Sequence, residues 1–227
     1  MTLAWLDNIA WHSLCGAQAH LAAGSATARR YARGLAPIIA FADLQQPDFA
    51  ALAPHCEGGE RVYSSSWSGP APAGWQIEAD ARMLQMLWQG PAPVVDEGFT
   101  ALPLRPAHAA QMLALQTLTK PGPFGPRTLE FGAYLGCFDG SRLVAMAGER
   151  MHAGTLREIS SVCTDPEFQG RGLARRLTQL LLRQQLQRGE TPFLHVMRDN
   201  HAAHVLYERM GFRDHQELTV RVLSRLA

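Results

Sequence analysis

Apolar positions repeat with different periods along the chain. Over Arg171–Arg188, Leu173, Leu177, Leu180 and Leu181 form a helical stripe, and Gly189 ends it. "NHAAHVLYERM" predicts a second helix that buries Ala203, Leu206 and Met210 and stops at Gly211. "AHAAQMLALQTL" predicts a third. Between them, "FTALPLRP", "LREISSVCT", "TPFLHVM" and "FRDHQELTVRVLSR" read as strands. "GAYLGCFDGSRLVAMAGERM" reads as a hairpin turning at Asp139-Gly140. "TKPGPFGPRTLE" is too rich in Pro and Gly to be regular, and a mobile loop is expected there.

The first half is less regular. "LDNIAWHSL" has helical spacing at Leu6, Ile9, Ala10 and Leu14, and "PDFAALAPH" suits a short helix. "RVYSSSWS", "GWQIEAD" and "RMLQMLW" read as short strands around the turn-rich "GPAPAG". "QGPAPVVDEG" then breaks the pattern, which places a boundary near Asp96 and divides the chain into 1–96 and 97–227. Strands mixed with helices predict an α/β (α+β) fold, a mixed sheet with helices on both faces.

Composition narrows the classes. With 47% hydrophobic and 18% charged residues over 227 positions, a well-buried core is expected. A formal net charge of +1 argues against a general polyanion binder, so no nucleic-acid partner is expected. Cys15, Cys56, Cys137 and Cys163 have no paired spacing for a disulfide framework or a zinc site, which fits a reducing, cytoplasmic setting. The start lacks a basic region followed by an apolar core, and no apolar run is long enough to cross a membrane. No signal peptide and no membrane partner are therefore expected.

The stretch "ISSVCTDPEFQGRGLARRL" carries the candidate chemistry. A strand gives way to a turn with two glycines, and a helix begins at once. Helix N-termini carry unpaired N–H groups and a partial positive charge. Gly170 and Gly172 remove side chains that would obstruct a phosphate, Ala174 keeps the first turn slim, and Arg171, Arg175 and Arg176 add charge. A pyrophosphate site is the chemical reading; a tight turn with solvated arginines is the plain one. A P-loop is excluded, because Leu173-Ala174 stands where Lys-Ser/Thr is needed. A Rossmann turn is excluded by the missing third glycine and acidic residue.

Gln169-Gly170-Arg171-Gly172-Leu173-Ala174 resembles the Q/R-x-x-G-x-G/A motif of the GNAT superfamily of acyl-CoA-dependent N-acetyltransferases. "NHAAHVLYERMGF" resembles its second motif, with Asn200, Ala203, Tyr207, Gly211 and Phe212 in place. The resemblance covers Phe99 to the C-terminus. It implies a mixed, mostly antiparallel sheet flanked by helices, with acetyl-CoA as acyl donor. The region before Asp96 is then an accessory domain or a degenerate second GNAT-like unit.

By that resemblance, the loop from Gln169 through Gly170, Arg171, Gly172, Leu173, Ala174 and Arg175 holds the pyrophosphate. Val162, Cys163 and Thr164 offer peptide groups to the pantetheine arm, and the Val162 amide polarises the thioester carbonyl. Asn200 binds pantetheine; otherwise it is a helix cap. Tyr207 is the acid for the departing thiolate, or a core tyrosine. Glu158, at family spacing from Gln169, is the leading base, or a salt-bridged glutamate; Glu149 is the rival carboxylate and His152 a weaker one. His201 and His204 form H-x-x-H without a zincin glutamate, so no metal is expected. Cys163 reads as a small buried thiol rather than an acyl carrier.

The expected activity is transfer of acetyl from acetyl-CoA to a small amine or peptide amino group by direct attack in a ternary complex. The alternatives are a non-catalytic acyl-CoA-binding module and a transferase of longer acyl chains. The sequence does not identify the acceptor amine or the oligomeric state.

Overall fold

A computed structural model describes residues 3–94, 96 and 98–226. The break expected near Asp96 adjoins Val95 and Glu97, which lie outside the described residues. A short 3-10 segment leads into α1 (Ile9–Cys15). Three short strands, β1 (Ala22–Gly24), β2 (Ala28–Tyr31) and β3 (Ile39–Phe41), form an antiparallel sheet of their own. After α2 (Phe49–Leu52) come β4 (Arg61–Ser65) and the 14-residue β5 (Trp75–Trp88). Then follow β6 (Leu102–Pro103), α3 (Ala109–Thr119), β7 (Tyr134–Asp139), β8 (Arg142–Ala153) and β9 (Leu156–Thr164). The chain ends with α4 (Leu173–Gln187), β10 (Thr191–Met197), α5 (His201–Arg209) and β11 (Phe212–Arg225).

The main sheet has eight strands in the order β4-β11-β5-β10-β9-β8-β7-β6. Among its described strands, β9 and β10 run parallel and the other neighbouring pairs run antiparallel. The parallel pair needs a crossover, and α4 supplies it. The two segments "GWQIEAD" and "RMLQMLW" prove to be one strand, β5, which pairs with both β10 and β11. The sheet thus runs straight through the expected boundary. β5 on one side of it and β6 on the other belong to the same sheet.

Two apolar layers cover the sheet. On one face, Leu177, Leu181 and Leu182 of α4 and Tyr207 of α5 pack on Ile159, Leu194, Val196 and Met86. On the other, Leu6, Ile9 and Leu14 pack on Met151, Leu156, Phe193 and Leu87, while Met112 and Leu115 of α3 pack on Met146 and Cys163. The first-half residues are therefore one side of the sheet's own core. Segment 120–131, expected to be mobile, is tied to them. Arg127 N–H donates to Gly34 O at 2.8 Å, and its guanidinium donates to Arg33 O at 2.9 Å. Phe131 meets Tyr31 edge to face at 4.8 Å. Among the described residues, no helix is long and apolar enough to cross a membrane.

Candidate active site

The parallel pair opens where β9 approaches the glycine turn. Its register runs from Leu156↔Thr191 to Ile159↔Leu194 and stops. β10 continues along β5 as far as Met197, so among the described residues Ser160–Thr164 have no strand partner on that side. On its other side β9 is bulged. Cys163 faces Met146 and Ser160 faces Gly148, which leaves Ser161 and Val162 together opposite Ala147. Ser161 takes φ +53°, a value few non-glycine residues adopt inside a strand. Val162 is half-buried and packs toward α4. Thr164 Oγ1 is buried without a hydrogen-bond partner.

Beyond β9, the Asp165 carboxylate caps the Pro166–Phe168 turn by accepting from Glu167 N–H at 3.0 Å, and takes an Arg142 bond at 2.5 Å. Gln169 donates to Thr164 O at 3.4 Å. Gly170 and Gly172 adopt φ +76° and +72°. A Cβ on Gly170 would meet nothing within 4 Å, so the glycine serves the backbone angle and leaves an open surface. Among the described residues, the N–H groups from Gly170 to Arg175 find no main-chain acceptor; the first to do so is Arg176, bonded to Gly172 O at 3.1 Å. Leu173 and Ala174 sit half-buried in the first turn. Arg171 stacks on Phe168 at 4.6 Å, and Arg175 is exposed beside Gly172. Arg176 lies over Phe99 at 5.3 Å, with Asp96 at 3.8 Å. Free amides, a positive rim and an orphaned hydroxyl fit a phosphate-bearing acyl carrier laid along an open strand edge.

Tyr207 comes from α5 on the same side. Burial, with Cys163 nearby, pushes its phenol pKa up, and its hydroxyl makes no hydrogen bond among the described residues. A neutral phenol of that kind can donate a proton. Burial likewise pushes the Cys163 thiol up to about 11, which disfavours the nucleophilic thiolate. Asn200 Oδ1 accepts from Ala203 N–H at 3.2 Å and caps α5, and the asparagine itself is exposed.

Glu158 lies on the opposite face and is 0% exposed. A second bulge sets Arg150 and Met151 of β8 against this one residue. Arg150 donates to both carboxylate oxygens, at 2.6 and 2.9 Å, and Met151 N–H donates at 3.1 Å. His195 Nδ1 lies 2.8 Å from Oε1, and its Nε2 lies 3.1 Å from Gln85 Nε2. If Gln85 donates there, the histidine's proton sits on Nδ1. Burial alone would raise the Glu158 pKa; the Arg150 charge and hydrogen bonds, with His195, outweigh it and hold the carboxyl well below the usual range. Gln18 closes the cluster. It donates to Arg150 O at 2.6 Å and accepts from His152 N–H at 3.2 Å and Tyr31 O–H at 2.6 Å. The expected base is thus a saturated ion-pair partner roofed by first-half residues, not a carboxylate on an open wall.

The other carboxylate is no freer. Glu149 is buried on the α4 face, accepts from Ala133 N–H and Gln185, both at 3.1 Å, and is paired with Arg188. The His152 ring sits 3.0 Å from Gly154 O, and burial, with Arg157 nearby, lowers its pKa. His204 engages Asp214 at 2.8 Å, and His201 is exposed. Among the described residues, no group of three or more His, Cys, Asp or Glu gathers as a metal site. Arg150, His195, Gln85, Tyr134 and Ser161 stand at the site without belonging to either motif. An arginine eight residues before a strand glutamate was the one available signal.

A mostly antiparallel sheet whose single parallel pair opens beside a glycine turn defines an acyl-CoA N-acetyltransferase fold. The FR47-like protein family matches residues 134–222. The chain is similar to a putative acetyltransferase of the GNAT family from Novosphingobium aromaticivorans: 33% identity, TM-score 0.90, covering 98% of this chain and 99% of that one. It is also similar to the N-alpha-acetyltransferase RimI of Mycobacterium tuberculosis, 39% identical over 83 residues. That match covers 35% of this chain and spans 51% of the relative's length. A GCN5-related N-acetyltransferase from Kribbella flavida shares the fold at 14% identity, TM-score 0.60, covering 97% of this chain and 96% of that one. The chain belongs to the GNAT family of acetyltransferases.

Proposed function

We propose that this chain transfers the acetyl group of acetyl-CoA to an amino group, by direct attack in a ternary complex. The observation that carries the reading is the unpartnered edge Ser160–Thr164 running into six unbonded amides at Gly170–Arg175. The edge suits the amide-bearing pantetheine arm and the amides suit the pyrophosphate, with Arg171 and Arg175 adding charge. The Val162 N–H suits the thioester oxygen. The amine nitrogen bonds to the carbonyl carbon, the C–S bond breaks, and Tyr207 protonates the thiolate.

The proton leaving the amine goes to water in this reading. Glu158 is already bonded to Arg150 and His195 and has no exposed surface, so it supports the site as an anchor. The RimI relative is named an N-alpha-acetyltransferase, so peptides with free α-amino groups are the first acceptors to test, ahead of small amines.

The test is calorimetric titration with CoA and acetyl-CoA, followed by thiol release on a panel of peptides and small amines. Binding with release supports the reading, and failure to bind either overturns it. The sealed Glu158 also favours a second reading, a non-catalytic acyl-CoA-binding module, which predicts tight binding without thiol release on any amine.

A further inference from the structure

The bulge at Ser161–Val162 is held by a chain of buried hydroxyls that neither motif contains. Ser161 Oγ lies 3.3 Å from Tyr134 OH, and Tyr134 OH lies 3.1 Å from Thr128 Oγ1. All three residues are buried. Tyr134 reaches across the sheet because its neighbour on β8 is Gly148; a Cβ there would stand 2.2 Å from the Tyr134 ring. Thr128 belongs to the strap 120–131, and its N–H donates to Gly125 O at 3.1 Å. The strap is in turn fixed to Gly34 and Arg33 through Arg127.

We infer that Tyr134, Ser161 and Thr128 are positioning residues, which lock the strained bulge and so aim the Val162 N–H at the acyl carbonyl. The inference rests on the proposed acetyl-CoA reaction and names the groups that act on its oxyanion donor. The physical argument is short. A non-glycine residue at positive φ inside a strand is strained and persists only where its surroundings over-determine it. Here the Ser161 hydroxyl is the handle by which they do so. A donor must be fixed before charge develops, and a displacement of about 1 Å costs on the order of 100-fold in rate. The same chain gives the first half of the molecule a route to the reacting carbonyl, through Arg33, Gly34, the strap and Tyr134.

The test uses the full chain with CoA and with acetyl-CoA carrying a ¹³C label at the carbonyl. Only acetyl-CoA has the oxygen that Val162 would contact; CoA binding reports the phosphate loop and the strand edge. Tyr134→Phe removes one hydroxyl and keeps the ring. Thr128→Val removes the hydroxyl that holds Tyr134, keeps the branched shape and lies off the strand edge, so it keeps the inference testable if Tyr134→Phe does not fold. Both are expected to leave CoA affinity unchanged, to lower the acetyl-CoA to CoA affinity ratio about fivefold, and to move the bound carbonyl resonance toward its value in water. A merely structural role would lower the melting temperature and both affinities together, and that pattern overturns the inference. An unchanged ratio and resonance in a folded variant overturns it too. If wild type binds neither ligand, the acetyl-CoA reading fails and this inference falls with it. Wild type that binds CoA while the variants match it in ratio and resonance sinks the inference alone.

Discussion

The two faces of the sheet meet at β9, and they are built on opposite principles. On the α4 side the site is made of backbone: amides from Gly170 to Arg175 without main-chain partners, and a strand edge without a neighbour. On the other side it is made of side chains that bond one another: Arg150, Glu158, His195, Gln85 and Gln18. An open backbone surface binds; a closed side-chain network stiffens. Unmade hydrogen bonds on a solvated edge cost little until a ligand uses them, whereas removing one member of a buried network leaves its partners desolvated and alone. Mutations on the two sides should therefore separate binding from stability.

The sharpest break is Glu158→Gln. It leaves the Arg150 guanidinium buried without its counter-charge, and breaking a buried pair in this way costs about 3–5 kcal/mol. Urea unfolding should show that loss. Arg150→Met together with Glu158→Gln should recover part of it, because no unpaired charge remains. The pH dependence has a definite sign. Because the folded-state pKa of Glu158 is depressed, its contribution is present above the unfolded value of about 4.3 and is lost as pH falls below it. Glu158→Gln should flatten that acid limb. A fully stable Glu158→Gln protein that has lost the rise in rate with increasing pH would instead return Glu158 to the role of base.

Next comes Tyr207→Phe. The hydroxyl has no hydrogen-bond partner among the described residues, and the ring packs edge to face on Phe212 at 5.9 Å. Phenylalanine therefore keeps the packing, and stability should not fall. Turnover should drop about 10- to 1000-fold while CoA affinity holds, if the phenol protonates the thiolate. Unchanged single-turnover chemistry would make Tyr207 a packing residue only.

Gly172→Val probes the open side. At φ +72° a β-branched residue is strained by about 1–3 kcal/mol, and its methyl groups stand at the mouth of the amide cradle. CoA affinity should fall at least about tenfold, by calorimetry, with a smaller loss of stability than for Glu158→Gln. Equal CoA affinity in Gly172→Val and wild type would remove the phosphate role from the loop.

The same contrast explains what could be read without coordinates. The glycine turn was legible because backbone chemistry needs particular residues at fixed local spacing: Gly170 and Gly172 do adopt positive φ, and α4 starts at Leu173. α5 was legible for the same reason, with Asn200 at its cap and Gly211 after its end. The state of Glu158 was not, because its environment is assembled from Gln18, Gln85, Arg150 and His195, which lie up to 140 residues away in sequence. Nor was the sheet's continuity through β5. A 14-residue strand with exposed Glu78, Asp80 and Arg82 at one end and buried Leu84–Leu87 at the other changes surroundings midway, so its alternation breaks and it reads as two.

The smallest effect belongs to a residue that stands on the boundary between the two kinds of site. Asn200 caps α5, a helix of nine residues that carries Tyr207 in its second half. The cap is a side-chain role, met by Oδ1 bonding to Ala203 N–H at 3.2 Å. The amide nitrogen of Asn200 makes no protein hydrogen bond among the described residues, so it remains able to donate to a ligand on the open side. Asn200→Ala should cost about 1 kcal/mol of stability through the lost cap. Asn200→Ser keeps a capping oxygen and loses the amide. If capping is the whole role, serine restores both stability and CoA affinity. If the amide also holds the pantetheine arm, serine restores the melting temperature and leaves CoA affinity reduced about threefold to tenfold, the worth of one hydrogen bond. A paired measurement of melting temperature and calorimetric CoA affinity on the two variants separates the roles, and affinity that tracks stability in both would assign Asn200 to the helix alone.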